Sequence, residues 1–302
     1  VRHGPAVKES IRRAGVPELM KAIFVTSLWL LLAGAGTASA HEPSAEGRYL
    51  GNEGILVTAC GSKILFDAFY EDSYGQYLLV PDRIRAGLMA GEPPYDDVDA
   101  LFVSHVHGDH FSPAPTLAYL RAQPDVRLFG TSQVVAALET ATAGKDPGLM
   151  ARVTAIDATP GDAAQTAKLE GLFVDVVAIP HAGGARMADI ENLAFRVTLS
   201  DSLTVLHLGD AVADMQLFAA RQPHWDARAV HVAFLPYWFF LQEEGRRVLQ
   251  THIRADKSVG VHVPAAALGQ GDAWREEVDG DLFTDPGETR ELSALFGGVC
   301  PD

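Results

Sequence analysis

Residues 101–111 read Leu-Phe-Val-Ser-His-Val-His-Gly-Asp-His-Phe, and they constrain this chain more than any other stretch. Four groups able to hold a metal, His105, His107, Asp109 and His110, fall within six positions, directly after an apolar run that reads as a buried strand. Side chains two apart on a strand share a face, so His105 and His107 can reach one ion together. Gly108 supplies a turn that swings Asp109 and His110 toward a second ion beside the first. Imidazole and carboxylate are ligands that zinc accepts at near-tetrahedral sites. The competing reading is a set of histidines scattered on a loop with no common partner.

Charge narrows what could bind there. The chain of 302 residues is 48% hydrophobic and 21% charged, enough apolar material for an ample core. Its formal net charge of -15 argues against RNA or DNA as substrate, because phosphate backbones are bound by basic grooves. A small molecule is the expected partner, and a small anionic ester held by the metal ions themselves stays compatible.

The N-terminal region reads as a targeting segment. Lys21 follows Met20, an apolar run extends from Ala22 to Leu32, and small residues lead to Ala38-Ser39-Ala40, the pattern of a secretory signal peptide over residues 20–40. A membrane anchor needs about 20 apolar residues, so no stable anchor is expected after cleavage, and the protein is expected in the periplasm or the medium. Residues 1–19 read as a non-native upstream extension. Two cysteines occur, Cys60 and Cys300. Neither has a Cys or His at ligand spacing, so a zinc ribbon or thiol redox site is not indicated. An exported protein could join them as a disulfide; two unpaired thiols is the other reading.

Residues 41–302 read as one domain, with no Ser/Gly- or Pro-rich linker and no repeat at solenoid spacing. The β-rich runs 54–58 and 63–67 flank turn chemistry at Cys60-Gly61-Ser62 and end at Asp67. Strands are expected at 98–103, 126–129, 152–156, 203–208, 229–235 and 259–263, with a largely apolar run at 168–179 and an alternating one at 192–199. Helices are expected at 82–90, 115–121, 132–140, 213–221 and 242–253. The tail from Gly271 is acidic and turn-rich and reads as a surface extension. Three more ligand-type residues stand at or near strand ends: His181 after Pro180, Asp210 after Gly209, and His262 inside 259–263. Convergence of side chains from strand ends is how open α/β layers build sites.

Taken together, His-Val-His-Gly-Asp-His, Pro180-His181, Leu208-Gly209-Asp210 and Gly260-Val261-His262 resemble the metallo-β-lactamase superfamily. Within it the chain is similar to the branch containing ascorbate-6-phosphate lactonase and the N-acylphosphatidylethanolamine phospholipase D. Asp67, the segment from Glu191 to Phe195, and Phe234-Leu235-Pro236 are similar to that branch too. The resemblance implies a four-layer αβ/βα sandwich, two mixed β-sheets flanked by helices. It implies two divalent ions, foremost Zn2+ with Mn2+ or Fe2+ as alternatives. His105, His107 and His181 would hold the first, Asp109, His110 and His262 the second, and Asp210 would bridge them. True β-lactamases of the superfamily generally lack that bridging carboxylate, which moves the reading away from antibiotic hydrolysis. The chain departs from its relatives at Tyr237-Trp238-Phe239-Phe240, where a Gly-rich loop is common.

Two such ions lower the pKa of a shared water toward about 7, which makes a hydrolase of ester-type bonds, lactone or phosphodiester, the expected activity. Asp109, a ligand beside that water, is the candidate to orient it and pass its proton on. No Gly-x-Ser-x-Gly elbow points to a serine hydrolase. The alternative is an exported metal- or ligand-binding protein of the same fold without turnover. Tyr237 and Trp238 are candidate substrate contacts, although the run 237–240 could equally be core. His207 reads either as support for a ligand or as a satisfied core histidine. His224 and His252 read as surface or helix histidines. A phosphorylated substrate would call for a cation near the metals, and Arg186, Arg246 and Arg247 are the candidates.

Overall fold

The computed structural model describes residues 45–298 and 300; the expected signal peptide and upstream extension lie outside the described residues. Among the described residues, fourteen strands form two sheets of seven. The first contains β1 (Ala45–Gly51), β2 (Gly54–Ala59), β3 (Ser62–Phe66), β4 (Ala100–Val103), β5 (Arg127–Thr131) and β6 (Val153–Ile156). The second contains β7 (Gln165–Leu169), β8 (Leu172–Ala178), β9 (Leu193–Leu199), β10 (Leu203–His207), β11 (Val232–Pro236), β12 (Lys257–Val261) and β13 (Asp281–Leu282); β14 (Thr289–Glu291) returns to the first. The orders are β14-β1-β2-β3-β4-β5-β6 and β13-β12-β11-β10-β9-β8-β7.

Burial explains the layering. Ile55, Val57, Ile64, Phe66 and Phe102 of the first sheet pack with Val174, Phe195, Val205 and Phe234 of the second in one apolar layer. The opposite face of the first sheet, including Leu65 and Leu101, is covered by helices Asp82–Ala90, Pro113–Ala122 and Ser132–Thr142. That of the second, including Leu206 and Leu235, is covered by residues such as Phe218, Trp225 and Val248. Strands covered on both faces need no polar alternation. This is why β9, expected to alternate, is buried at all seven positions. Its Arg196 is accommodated by a bidentate pairing to Asp175 Oδ2 at 3.2 and 3.0 Å and by donation to the His224 carbonyl at 2.6 Å.

Several expectations need correction. The apolar run 168–179 is a hairpin, β7–β8, turning at Gly171 with φ +71. The helix expected at 213–221 is the short Met215–Ala219, begun by Asp214 accepting from the Gln216 and Leu217 amides. His224 and His252 lie in helices, as one of the two readings had it, and are buried rather than on the surface. The tail from Gly271 is no extension, because β13 closes one sheet, β14 closes the other, and Val278, Leu282, Phe283 and Leu292 are core. Two of its acidic residues sit in ion pairs on folded structure, Asp281 with Arg290 and Lys257, and Glu288 with Arg275 and Arg290, while Glu276, Glu277 and Asp279 are exposed. The same segment is tied down by a disulfide between Cys60 and Cys300, which spans 240 residues.

Candidate metal centre

The ligand-type residues sit just past strand ends, where the backbone is free to turn. β4 stops at Val103 and β12 at Val261, so His105, His107 and His262 lie beyond the strands expected to carry or lead into them. His262 has φ +59, a strained conformation for a non-glycine residue, fixed by donation of its amide to the Asn52 carbonyl at 3.0 Å. Gly108 does not need a left-handed backbone. It needs the absence of a side chain, since a Cβ there would stand 3.0 Å from Asp72 Cβ.

All seven expected ligands converge in two groups. His107 Nδ1 lies 3.2 Å from His105 Nε2 and 3.1 Å from His181 Nε2, and Asp210 Oδ2 is 3.3 Å from His181 Nε2 and 4.0 Å from His105 Nε2. In the second group His262 Nε2 is 3.4 Å from Asp109 Oδ2 and 3.2 Å from Asp210 Oδ1, and His110 Nε2 is 3.6 and 3.5 Å from the same two oxygens. Donors on a tetrahedron about 2.0–2.1 Å from one ion stand about 3.3 Å apart. Asp210 gives one oxygen to each group, as a bridging ligand would.

The contacts of the second group are not a hydrogen-bond network. His110 Nε2, His262 Nε2 and Asp210 Oδ1 are buried and have no hydrogen-bond partner among the described residues, close as they are. Buried polar atoms aimed at a common point and left unsatisfied are what a divalent cation would satisfy.

The neighbours fix which nitrogen is free. Asp67 accepts from the Ser104 amide at 2.8 Å, from the Ser104 hydroxyl at 2.5 Å and from His110 Nδ1 at 2.9 Å. With its proton given to Asp67, the Ser104 oxygen accepts from His105 Nδ1 at 2.9 Å. His181 Nδ1 donates to the Ala182 carbonyl. In each of His105, His110 and His181 the Nδ1 proton is thereby committed and the Nε2 lone pair is left for a metal. Asn52 donates to the Asp109 carbonyl at 2.9 Å, and Asn192 ties the Ile179 and Leu208 carbonyls while accepting the Asp210 amide at 3.0 Å. His207 accepts from the Gly209 amide at 3.2 Å and donates from Nε2 to the Glu53 carbonyl, so it braces the turn that carries Asp210.

Asp67 is a target for test. Asp67→Asn keeps the shape but presents an N–H where two donors now point, and it is expected to weaken metal binding about 10–100-fold. Competition with a chromophoric chelator measures this; parental affinity would mean the Asp67 network does not orient the ligands.

Without metal, the charges oppose burial in opposite senses in the two groups. Burial pushes the His105 imidazole well below its ordinary range and lowers His107 as well. Burial would lower His110 too, but Asp210, Asp67 and Asp109 bring it up to about 9. His262 is raised well above its usual value against burial by Asp210 and Asp109. Burial would raise Asp210, yet His262, His110 and His181 hold it well below the carboxylate range. A ligand imidazole must be neutral. Filling the second group at pH 7 therefore displaces protons from His110 and His262, and affinity there should climb with pH at least to about 9, where His110 titrates. His105 and His107, whose imidazoles burial already holds neutral, should contribute no such dependence. Titration calorimetry in buffers of different ionisation enthalpy reads the proton release, and a pH-independent second step would contradict it.

Around the mouth, Trp238 presents its ring to His262 at 5.3 Å and Tyr77 does so from another side at 4.2 Å. Tyr237 packs against Trp238 and Trp274, whereas Phe239 and Phe240 are core, so the aromatic run divides between site and interior. Arg246 donates to the Phe240 and Leu241 carbonyls; Arg186 and Arg247 are exposed. Sequence reasoning missed Tyr77, Asn52 and Glu53. Glu53 is fully buried with both carboxylate oxygens unpartnered, Oε2 standing 3.5 Å from His207 Nε2, and burial pushes its carboxyl well above the ordinary range.

A sandwich of two mixed sheets with this cluster at one edge defines a class, and sequence comparison agrees. The chain belongs to the β-lactamase superfamily domain family, whose model matches residues 62–262. A curated relative, a metal-dependent hydrolase of Pyrococcus horikoshii, is 24% identical over 157 residues, covering 50% of this chain; the chain spans 62% of that relative's length. Among solved structures, a protein of Veillonella parvula described as a metal-dependent hydrolase matches with a TM-score of 0.52 and 15% identity over 83% of this chain and 100% of its own. The isothiocyanate hydrolase from Delia radicum gut bacteria matches with a TM-score of 0.50 and 15% identity over 81% of this chain and 98% of its own. At such identities the likeness is one of fold.

Proposed function

We propose that this protein is an exported metal-dependent hydrolase that holds two divalent cations, foremost Zn2+ with Mn2+ or Fe2+ as alternatives, and cleaves a small ester-type bond, a lactone or a phosphodiester. The observation that carries the reading is the pair of ligand groups sharing Asp210, with buried donor atoms left unsatisfied. Bound cations would supply an acidified water and polarise the scissile carbonyl or phosphoryl oxygen.

The chain's own residues would do the rest. Asp210, pinned through its amide by Asn192, would fix the spacing of the two groups. Asp109, held below the usual carboxylate range by His262 and His110 against the effect of burial, stays ionised at neutral pH and can take up a proton at its carboxylate. Asn52 keeps it in place through the Asp109 carbonyl. Tyr77 and Trp238 would wall the entrance, Tyr237 extending the same surface.

The Cys60–Cys300 disulfide supports export, since such bonds persist in oxidising compartments. No helix among the described residues is long and apolar enough to cross a membrane. Elemental analysis of the purified protein after loading should return close to two equivalents of divalent metal. Fewer than one equivalent, with no hydrolysis across lactones and phosphodiesters, would overturn the reading. Mass spectrometry of protein recovered from the periplasm should find a mature N-terminus near His41.

A further inference from the structure

A cavity of about 430 Å³ opens beside the first ligand group, and its wall includes His181 itself. Ile179, Pro180, Met187, Ile190 and Val212 are among the residues that line the rest. The cavity is built into the ligand scaffold: the Val212 amide donates to the Pro180 carbonyl at 2.9 Å, and the Ala182 amide to the Asp210 carbonyl at 2.7 Å. Two ligands, His181 and Asp210, are thus positioned by the segments beyond β8 and β10, which also contribute to its wall.

Several polar groups in that wall are occupied elsewhere. The Asn192 side chain is committed to the Ile179 and Leu208 carbonyls and the Asp210 amide. Glu191 accepts from the Gln133 amide at 2.9 Å, and the Asp189 carbonyl from the Gln133 side chain. No Lys or Arg lines the cavity among the described residues, while Asp189 and Glu191 do. Arg246, one of the three cations that could have served a phosphate, is committed to two carbonyls on its own turn. Away from His181, an anion there would face the Asp189 and Glu191 carboxylates and no Lys or Arg; an uncharged aliphatic group would meet aliphatic surface, in a volume within the range of small-molecule sites.

We infer that this cavity seats the aliphatic part of the substrate, and that the substrate is an uncharged carboxylic ester or lactone bearing an alkyl chain rather than a phosphodiester. The inference rests on the hydrolase reading above and narrows it. The reaction would add water across the acyl C–O bond: a C–O bond forms from water to the acyl carbon, the bond to the alkoxy oxygen breaks, one water proton goes to that oxygen to give the alcohol, and the other is released to solvent as the acid ionises to a carboxylate. No further reactant is needed.

The test uses the metal-loaded protein with p-nitrophenyl esters and γ-lactones of increasing chain length, and bis(p-nitrophenyl) phosphate for comparison. Up to the capacity of the cavity, kcat/KM should rise about fourfold per added methylene, and the phosphodiester should be the poorest substrate. Val212→Phe, which fills the cavity, should collapse the ratio of long-chain to short-chain kcat/KM at least tenfold. Ile190→Trp, placed on a loop outside the sheets, should do the same should Val212→Phe fail to fold. Calorimetric binding of n-octanamide and acetamide gives a readout that needs no turnover. Octanamide should bind the parent and bind the filled variant at least tenfold more weakly. A parent that binds octanamide so but hydrolyses nothing overturns the hydrolase reading while the cavity keeps its ligand. Chain-length independence, equal ratios in parent and filled variants, or preference for the phosphodiester overturns the inference.

Discussion

Asp210→Asn is expected to leave a folded protein that holds less than one equivalent of metal and has lost hydrolytic activity on the order of a thousandfold. The substitution is close to isosteric, and the Asp210 amide would still be held by Asn192. What disappears is charge at the one side chain shared by both ligand groups, Oδ1 at 3.2 Å from His262 and Oδ2 at 3.3 Å from His181. A carboxamide can offer one oxygen to one ion, and its NH2 cannot serve the other. The effect reaches the metal-free protein too. Burial lowers His110, and Asp210 is the largest influence opposing it, so with Asn at this position His110 should titrate below its present value of about 9. The proton release on metal binding would then shrink. Elemental analysis, initial rates and the calorimetric proton count together test the claim. Two tightly held equivalents at parental activity would show that Asp210 bridges nothing.

Chemistry was more legible in the sequence than architecture around it, for a physical reason. Ligation demands particular atoms, so His105, His107, Asp109 and His110 announce themselves by type and spacing. The residues that orient them need only a hydrogen-bonding atom in the right place. Asp67 stood out as a carboxylate closing an apolar strand, but Asn52 and Asn192 are ordinary loop asparagines until the fold brings them to a ligand carbonyl or amide. Tyr77 lies in a stretch with no periodicity and reaches His262 because its backbone pairs with Pro264. The tail misled for a related reason: Gly, Asp and Pro are turn chemistry at short range, and the partners that neutralise Asp281 and Glu288 become visible only after pairing. Burial of β9 on both faces removed the alternation that local pattern suggested.

The second large effect is predicted where no ligand is touched, at Gly209. Its φ of +54 is left-handed, and a Cβ built there would stand 2.5 Å from Asn192 Oδ1 and 2.6 Å from Ser104 Cβ. Both neighbours are committed, Asn192 to the Asp210 amide and Ser104 to Asp67 and His105. A methyl group would therefore push apart the support of the bridging ligand and that of the first metal's ligand. Gly209→Ala should cost about 1–2 kcal/mol for the backbone and about 1–3 kcal/mol for overpacking, and it should lower metal occupancy with all seven ligands intact. Gly144→Ala is the control, because φ there is +71 and no atom lies within 4 Å of the added Cβ. It should pay the backbone cost alone and keep its metal. Thermal melts with and without chelator separate the two contributions: in Gly209→Ala the melting gain from added metal should be largely lost, and in Gly144→Ala fully kept. If both variants melt alike and load metal alike, the close approach at Gly209 does not set the position of Asp210, and the precision of the centre must come from the ligands themselves.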